Sequence, residues 1–156
     1  MKKILLLSIL LWTGWVSAQA IDLDKENRDP KYVESIVSRS QKIVDKLGIN
    51  DAKVAEDVRN VIANRYFTLN DIYETRDAKV KEIKESDLVG EAKNNALKAA
   101  EDAKDAALYR IHFAFPADLS LFLTEEQIEA VKDGMTYGVL KITYDSHLDM
   151  IPSLKK

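Results

Sequence analysis

NDAKVAEDVRNVIANRYFTLNDIYETRDAKVKEIK, residues 50–84, is the stretch that decides the fold. Val54, Val58, Val61, Ile62, Leu69, Ile72, Val80 and Ile83 fall on one helical stripe, with Arg65 and Arg76 occupying two further places in it. Steps of three and four mark a helix, whereas a strand alternates in twos. Tyr66, Phe67 and Tyr73 widen the covered face, and Asn50 stands where an N-cap is expected. Neither Gly nor Pro occurs between Gly48 and Gly90. A helix of about 33 residues is therefore permitted, a rod of about 50 Å at 1.5 Å per residue. Such a rod is expected to serve as a spine on which several helices pack in succession.

Upstream, Asp29-Pro30 predicts a helix start. The aspartate accepts the free N–H groups of the first turn, and a proline there lacks the N–H that would be orphaned anyway. Val33, Ile36, Val37, Ser40, Ile43, Val44 and Leu47 continue the stripe to Gly48, the expected left-handed cap. Residues 21–28 (IDLDKENR) are polar and without period, which predicts a flexible lead-in. Downstream, Ser86-Asp87 offers a new cap, and an alanine stripe follows at Ala92, Ala96, Ala99, Ala103, Ala106 and Ala107. Alanine favours helix and close helix approach. Pro116 ends or kinks this helix, and Asp118 or Ser120 can restart one. Thr124-Glu125-Glu126-Gln127 is a capping box, with Leu123 placed for a staple to Ile128. The helix it opens is expected to run to Met150 or Ile151. No segment has strand period. The expected class is all-α, an antiparallel helical bundle or hairpin array with one long central helix, in a single domain over residues 29–156.

Met1-Lys2-Lys3 followed by a 13-residue largely apolar run and Ser17-Ala18-Gln19-Ala20 has the form of a secretory signal, too short to span a bilayer. Cleavage after Ala18 or after Ala20 fits equally well, and the predicted location is periplasmic or extracellular. Removal of residues 1–20 takes away Lys2 and Lys3 and both tryptophans. It leaves 21 basic against 26 acidic residues, a net charge of −5. That balance disfavours nucleic acid and anionic lipid, which need clustered Lys and Arg. The chain has no cysteine, which excludes a disulfide scaffold, a thiol nucleophile and a lipid-modified cysteine at the cleavage site.

Candidate sites are few. His112 and His147 lie on different predicted helices without the spacing of a helical zinc motif, and no metal or cofactor is expected. Glu125 and Glu126 could in principle serve glycoside chemistry, but a capping turn accounts for both. No catalytic residue is assigned. Arg65 and Arg76 are the unusual pair. An arginine in an apolar stripe reaches the rim or pairs with an acid, here Asp57, Asp71 or Glu74. The sharper alternative is a polar cleft of Arg65, Tyr66, Asn70, Tyr73 and Arg76 that binds a carboxylate or a sugar, the arginine fork holding the acid and tyrosine faces stacking on the ring.

DPKYVESIVSRSQKIVDKLGI (29–49), VIANRYFTLNDIYETRD (61–77) and LTEEQIEAVKDGMTYGVLKITYDSHLDMIPSLKK (123–156) resemble a secreted family of unknown function found in polysaccharide-degrading Gram-negative bacteria, with KDGMTY (132–137) the most specific part. The resemblance implies an exported, uncharacterised helical domain associated with glycan use, and transfers no catalytic residue. Leu123-Thr124-Glu125-Glu126-Gln127 is also similar to the L-T-x-x-Q motif of periplasmic helical chaperones and envelope-stress proteins. The leading expectation is therefore a non-catalytic accessory binding protein of a glycan-utilisation system. The alternative is a client-binding chaperone, and an enzyme comes third. Because Pro152-Ser153 announces another helix, and because the resembled family continues further, the domain is expected to lack C-terminal helices. The helix from 124 to 151 is then expected to expose an apolar face on which the chain could self-associate.

Overall fold

A computed structural model describes residues 20–151. Six helices occur among them: α1 (Pro30–Val44), α2 (Ala52–Glu85), α3 (Gly90–Ile111), α4 (Ala114–Leu119), α5 (Glu125–Met135) and α6 (Val139–Met150). The described residues contain no strand, and the fold is all-α. Residues 1–19, most of the expected signal, and Pro152-Ser153 lie outside the described residues.

The spine is α2. Its 34 residues make a rod of about 51 Å. Asp51, one residue after the expected Asn50, caps it by accepting from the Lys53 and Val54 amides. The first half packs against α1 and α4, and α5 packs on α1. There Ile43, Val44 and Leu47 meet Val58, Val61 and Ile62, closed over by Phe115, Leu119, Leu123, Ile128 and Val131. The second half pairs with α3 as an antiparallel hairpin. Three contacts step in opposite directions along the two helices. Arg65 Nη1 donates to the Ile111 carbonyl at 3.1 Å, Arg76 Nη1 to Glu101 at 2.6 Å, and Lys93 Nζ to the Lys84 carbonyl at 3.1 Å.

Helix starts with local signals form as expected. Asp29 accepts from the Lys31 and Tyr32 amides with Pro30 behind it, and Gly48 takes a φ of 67° after α1. Thr124 and Gln127 form both hydrogen bonds of the capping box, and Leu123 and Ile128 are buried in the same cluster. Gln127 also donates to the Leu47 carbonyl at 2.8 Å, so the motif ties α5 to the end of α1.

Four expectations are corrected. The helix predicted over 124–151 is two helices. Tyr137 (φ 55°) and Gly138 (φ 69°) are left-handed, which a right-handed helix cannot continue, and the Gly138 amide closes back on the Asp133 carbonyl at 2.9 Å. The break before Pro116 falls earlier than expected, at His112-Phe113. Pro116 then lies in the first turn of α4, where an amide hydrogen has no helical partner. The alanine face of α3 is rotated from the predicted stripe. Ala100 is buried while Ala92, Ala99 and Ala106 are exposed, because alanines spread around the whole helix mark no face. Ser86, offered as a cap for α3, instead donates its hydroxyl back to the Ile83 carbonyl at the end of α2.

Residues 21–28 form no helix, but they are fastened to α2 by a row of polar side chains. Asp57 accepts from the Ile21 amide at 2.9 Å, and Asn60 donates to the Ile21 carbonyl at 2.7 Å. Asn64 donates to the Asp22 carbonyl and accepts from the Asp24 amide, both at 2.8 Å. Arg28 makes a two-pronged bond to Asp71 at 2.7 and 2.8 Å and lies over the Phe67 ring at 4.6 Å. An extended segment has backbone groups without helical partners, and α2 supplies them. Ile21 and Leu23, two apart, both turn inward to the core.

Candidate functional site

The five residues of the predicted cleft do not form one site. Arg65 points to the end of α3, where it bonds the last-turn carbonyl of Ile111 and lies over the Phe115 ring at 5.4 Å. A cation suits the negative end of a helix dipole. Burial lowers its pKa, with no acid opposing. Arg76 is bonded to Glu101 and paired with Asp77 at 2.7 Å, its guanidinium 5.7 Å from the Tyr73 ring centre. Glu101 in turn holds Lys104 at 2.9 Å. Asp57, Asp71 and Glu74, the acids expected to serve the two arginines, serve neither: Asp57 binds the lead-in and Asp71 binds Arg28. Tyr66 faces the other way, toward α1, with half-buried Asn70 and exposed Tyr73 one and two turns further along.

Two concavities are therefore distinct. The larger, about 580 Å³, lies between α2 and α3 on a floor that includes Ile72, Ala100, Ala103 and Ala107. Its rim cations Arg76 and Lys104 are already engaged by Glu101. The other, about 410 Å³, lies between α1 and the turn joining α5 to α6, and its lining includes Ser35, Ser38, Arg39, Lys42, Lys46 and Tyr137. Arg39 and Lys42 stand on one exposed face of α1, and exposed Lys46 follows in the turn after it. Unlike Arg28, Arg59, Arg76, Lys53, Lys79, Lys98, Lys104 and Lys132, none of these three is in an ion pair among the described residues. Asp133 lines the adjoining depression beside Lys46.

Two tyrosines frame the groove's arginine. The Arg39 guanidinium carbon is 5.5 Å from the Tyr66 ring centre and 5.2 Å from that of Tyr137. The Tyr66 hydroxyl is buried without a well-formed hydrogen bond. Burial pushes its pKa up, with the Arg39 charge pulling the other way. Gly134 sets the distance between the walls. A Cβ there would lie 3.1 Å from Ile43 Cγ1, a tight contact, so the absence of a side chain eases the close approach of α5 to α1. The left-handed backbone at Tyr137 then turns its ring toward Arg39 while leaving it exposed.

Residues 33–156 match DUF3826, a family of proteins of unknown function. This chain belongs to that family. The DUF3826 span takes in both walls of the Arg39 groove and excludes the lead-in that α2 holds. No curated protein matches the chain. The described residues of this DUF3826 protein contain no cluster of three or more metal-ligating side chains, and no helix among them is long and apolar enough to cross a membrane. His112 packs its ring on Phe113 at 4.8 Å, while His147 sits on α6 with Nδ1 3.3 Å from the Thr143 carbonyl.

Sequence reasoning found Tyr66 but missed Arg39, Lys42, Lys46 and Tyr137. The signal was present in part, since three cations at steps of three and four lie beside the apolar stripe of α1. Tyr137 carried no such signal, because its placement depends on the turn at Gly138.

Proposed function

We propose that this chain is an exported, non-catalytic binding protein, an accessory component of glycan utilisation, and that it holds its ligand in the groove between α1 and the α5–α6 turn. The observation that carries this reading is the row Arg39, Lys42 and Lys46 without acidic partners, facing the exposed ring of Tyr137. Cations fixed along a helix hold carboxylates, hydroxyls such as Ser35 and Ser38 exchange hydrogen bonds with sugar hydroxyls, and an exposed tyrosine face stacks on a sugar ring. The N-terminal pattern of residues 1–20 supports export.

Calorimetric titration of the mature chain with a galacturonic acid hexamer, and with its neutral galactose counterpart, tests the reading. Binding is expected, and the Arg39→Ala/Lys42→Ala double variant is expected to weaken it by about tenfold or more, at roughly 1–3 kcal/mol for charge-assisted bonds. Arg76→Ala, whose guanidinium is held by Glu101, should leave affinity unchanged. No binding to either hexamer, or equal loss in Arg76→Ala, contradicts the reading.

A client-binding chaperone is the second reading. It is favoured by α6, which leaves Val139, Ile142, Tyr144 and Met150 exposed. Suppression of the aggregation of an unfolded client, without glycan binding, would replace the first reading with this one.

A further inference from the structure

The place where the lead-in meets α2 carries an inference about maturation. Asp57 is buried, 4% exposed, and its Oδ1 accepts from the Ile21 nitrogen at 2.9 Å. Its cationic neighbour is Lys53, whose Nζ lies 3.4 Å away on a side chain that is 59% exposed. Ile21 is fixed from two further directions: Asn60 donates to its carbonyl at 2.7 Å, and its side chain packs on the main core cluster. Ala20, one residue before, is exposed. A carboxylate out of water is stabilised chiefly by a close positive charge, and a neutral amide hydrogen supplies only part of it.

We infer that processing falls between Ala20 and Ile21, and that the α-ammonium so created at Ile21 forms an internal ion pair with Asp57. The inference rests on the export reading above and goes beyond it by choosing between cleavage after Ala18 and cleavage after Ala20. Hydrolysis breaks the Ala20 C–N bond. The hydroxyl of water goes to the Ala20 carbonyl carbon and its proton to the Ile21 nitrogen, and the resulting amine takes a second proton from solvent. The nitrogen already 2.9 Å from Asp57 Oδ1 then carries a full charge. Cleavage after Ala18 leaves the same nitrogen as a neutral amide, and Asp57 keeps the partners it has in the precursor. Export would thus add an internal ion pair, and the folded mature chain would be more stable than any form with residues still attached ahead of Ile21.

Two measurements test this. Intact mass and N-terminal sequencing of the full-length chain, recovered from the envelope of an expressing cell, should give Ile21 as the first residue. A start at Gln19 overturns the inference and leaves the export reading standing, whereas the unprocessed mass overturns both. Thermal melts are then compared for purified chains beginning at Ile21, at Gln19, and at Ile21 with the α-amine acetylated. The free Ile21 form should melt about 5 °C above the other two, the shift that a charge-assisted bond of this kind gives in a chain of this size. Asp57→Asn should remove the difference among the three. Equal melting of all three forms with Asp57 present, or a difference that persists in Asp57→Asn, overturns the ion pair. The acetylated form keeps Asp57 intact, so the comparison holds even if Asp57→Asn fails to fold.

Discussion

Phe67→Ala is expected to lower the unfolding free energy by about 3–5 kcal/mol, the range for removing a fully buried phenylalanine. Phe67 is inaccessible to solvent and forms the smaller core cluster with Ile36 and Ala63, against which Leu23, Tyr32, Val33 and Tyr66 pack. Its ring meets Tyr32 at 5.7 Å and lies beneath the Arg28 guanidinium at 4.6 Å. The loss should therefore spread beyond the cavity. Arg28 would lose the ring it rests on while keeping Asp71, and the lead-in should open more often. Urea denaturation gives the first effect, and faster amide exchange over residues 21–28 gives the second. A loss below about 1 kcal/mol would mean that this face collapses to fill the space, contrary to the packing described.

Gly134→Val should be the next most damaging change, at about 1–3 kcal/mol for an overpacked contact. Glycine inside a helix is worse than alanine by roughly 1 kcal/mol, so its presence within α5 calls for a reason. The reason is contact with α1: a Cβ would meet Ile43 Cγ1 at 3.1 Å and Cγ2 at 3.2 Å. Ile43 is buried and β-branched, so it has little rotamer freedom with which to yield. Gly134→Ala should be near neutral, because the gain in helix propensity offsets the tight contact. The valine adds two methyls and forces α5 outward, which carries Tyr137 away from Arg39. Chemical denaturation should show the stability loss, and the same variant should bind ligand more weakly than its remaining folded fraction accounts for. A Gly134→Val protein as stable as the parent would show that α1 and α5 are not in close contact.

How much of this was legible depended on how local each signal is. Asp29-Pro30, the Thr124 to Gln127 box and the unbroken stripe of α2 each act within a turn or two of helix, and each formed as the sequence predicts. The break at Tyr137-Gly138 was missed although Gly138 is a strong stop. The apolar positions on its two sides keep helical steps, and a glycine within a stripe does not by itself separate a kink from a weak turn. The alanines of α3 misled for a different reason: residues that suit every face of a helix do not reveal which face is buried. The lead-in was hidden because its partners, Asp57, Asn60, Asn64 and Asp71, look like an ordinary solvated edge until an extended segment lies across them. For the site, periodicity correctly marked Arg65 and Arg76 as odd within an apolar stripe. It could not tell that a helix end and Glu101 absorb them, since both partners come from α3. The groove at Arg39 joins residues about a hundred positions apart, and only the fold brings them together.

The most direct test of the central claim is a map of where ligand binds. Backbone amide shifts of the isotope-labelled chain beginning at Ile21, recorded as the galacturonic acid hexamer is added, report this residue by residue. The largest changes are predicted at Arg39, Lys42, Gly134, Tyr137 and Gly138, across both walls of the groove, with little change at Ile72, Arg76 and Ala103. Changes concentrated instead along the α2–α3 groove, with the Arg39 face silent, would contradict the assignment of the binding site.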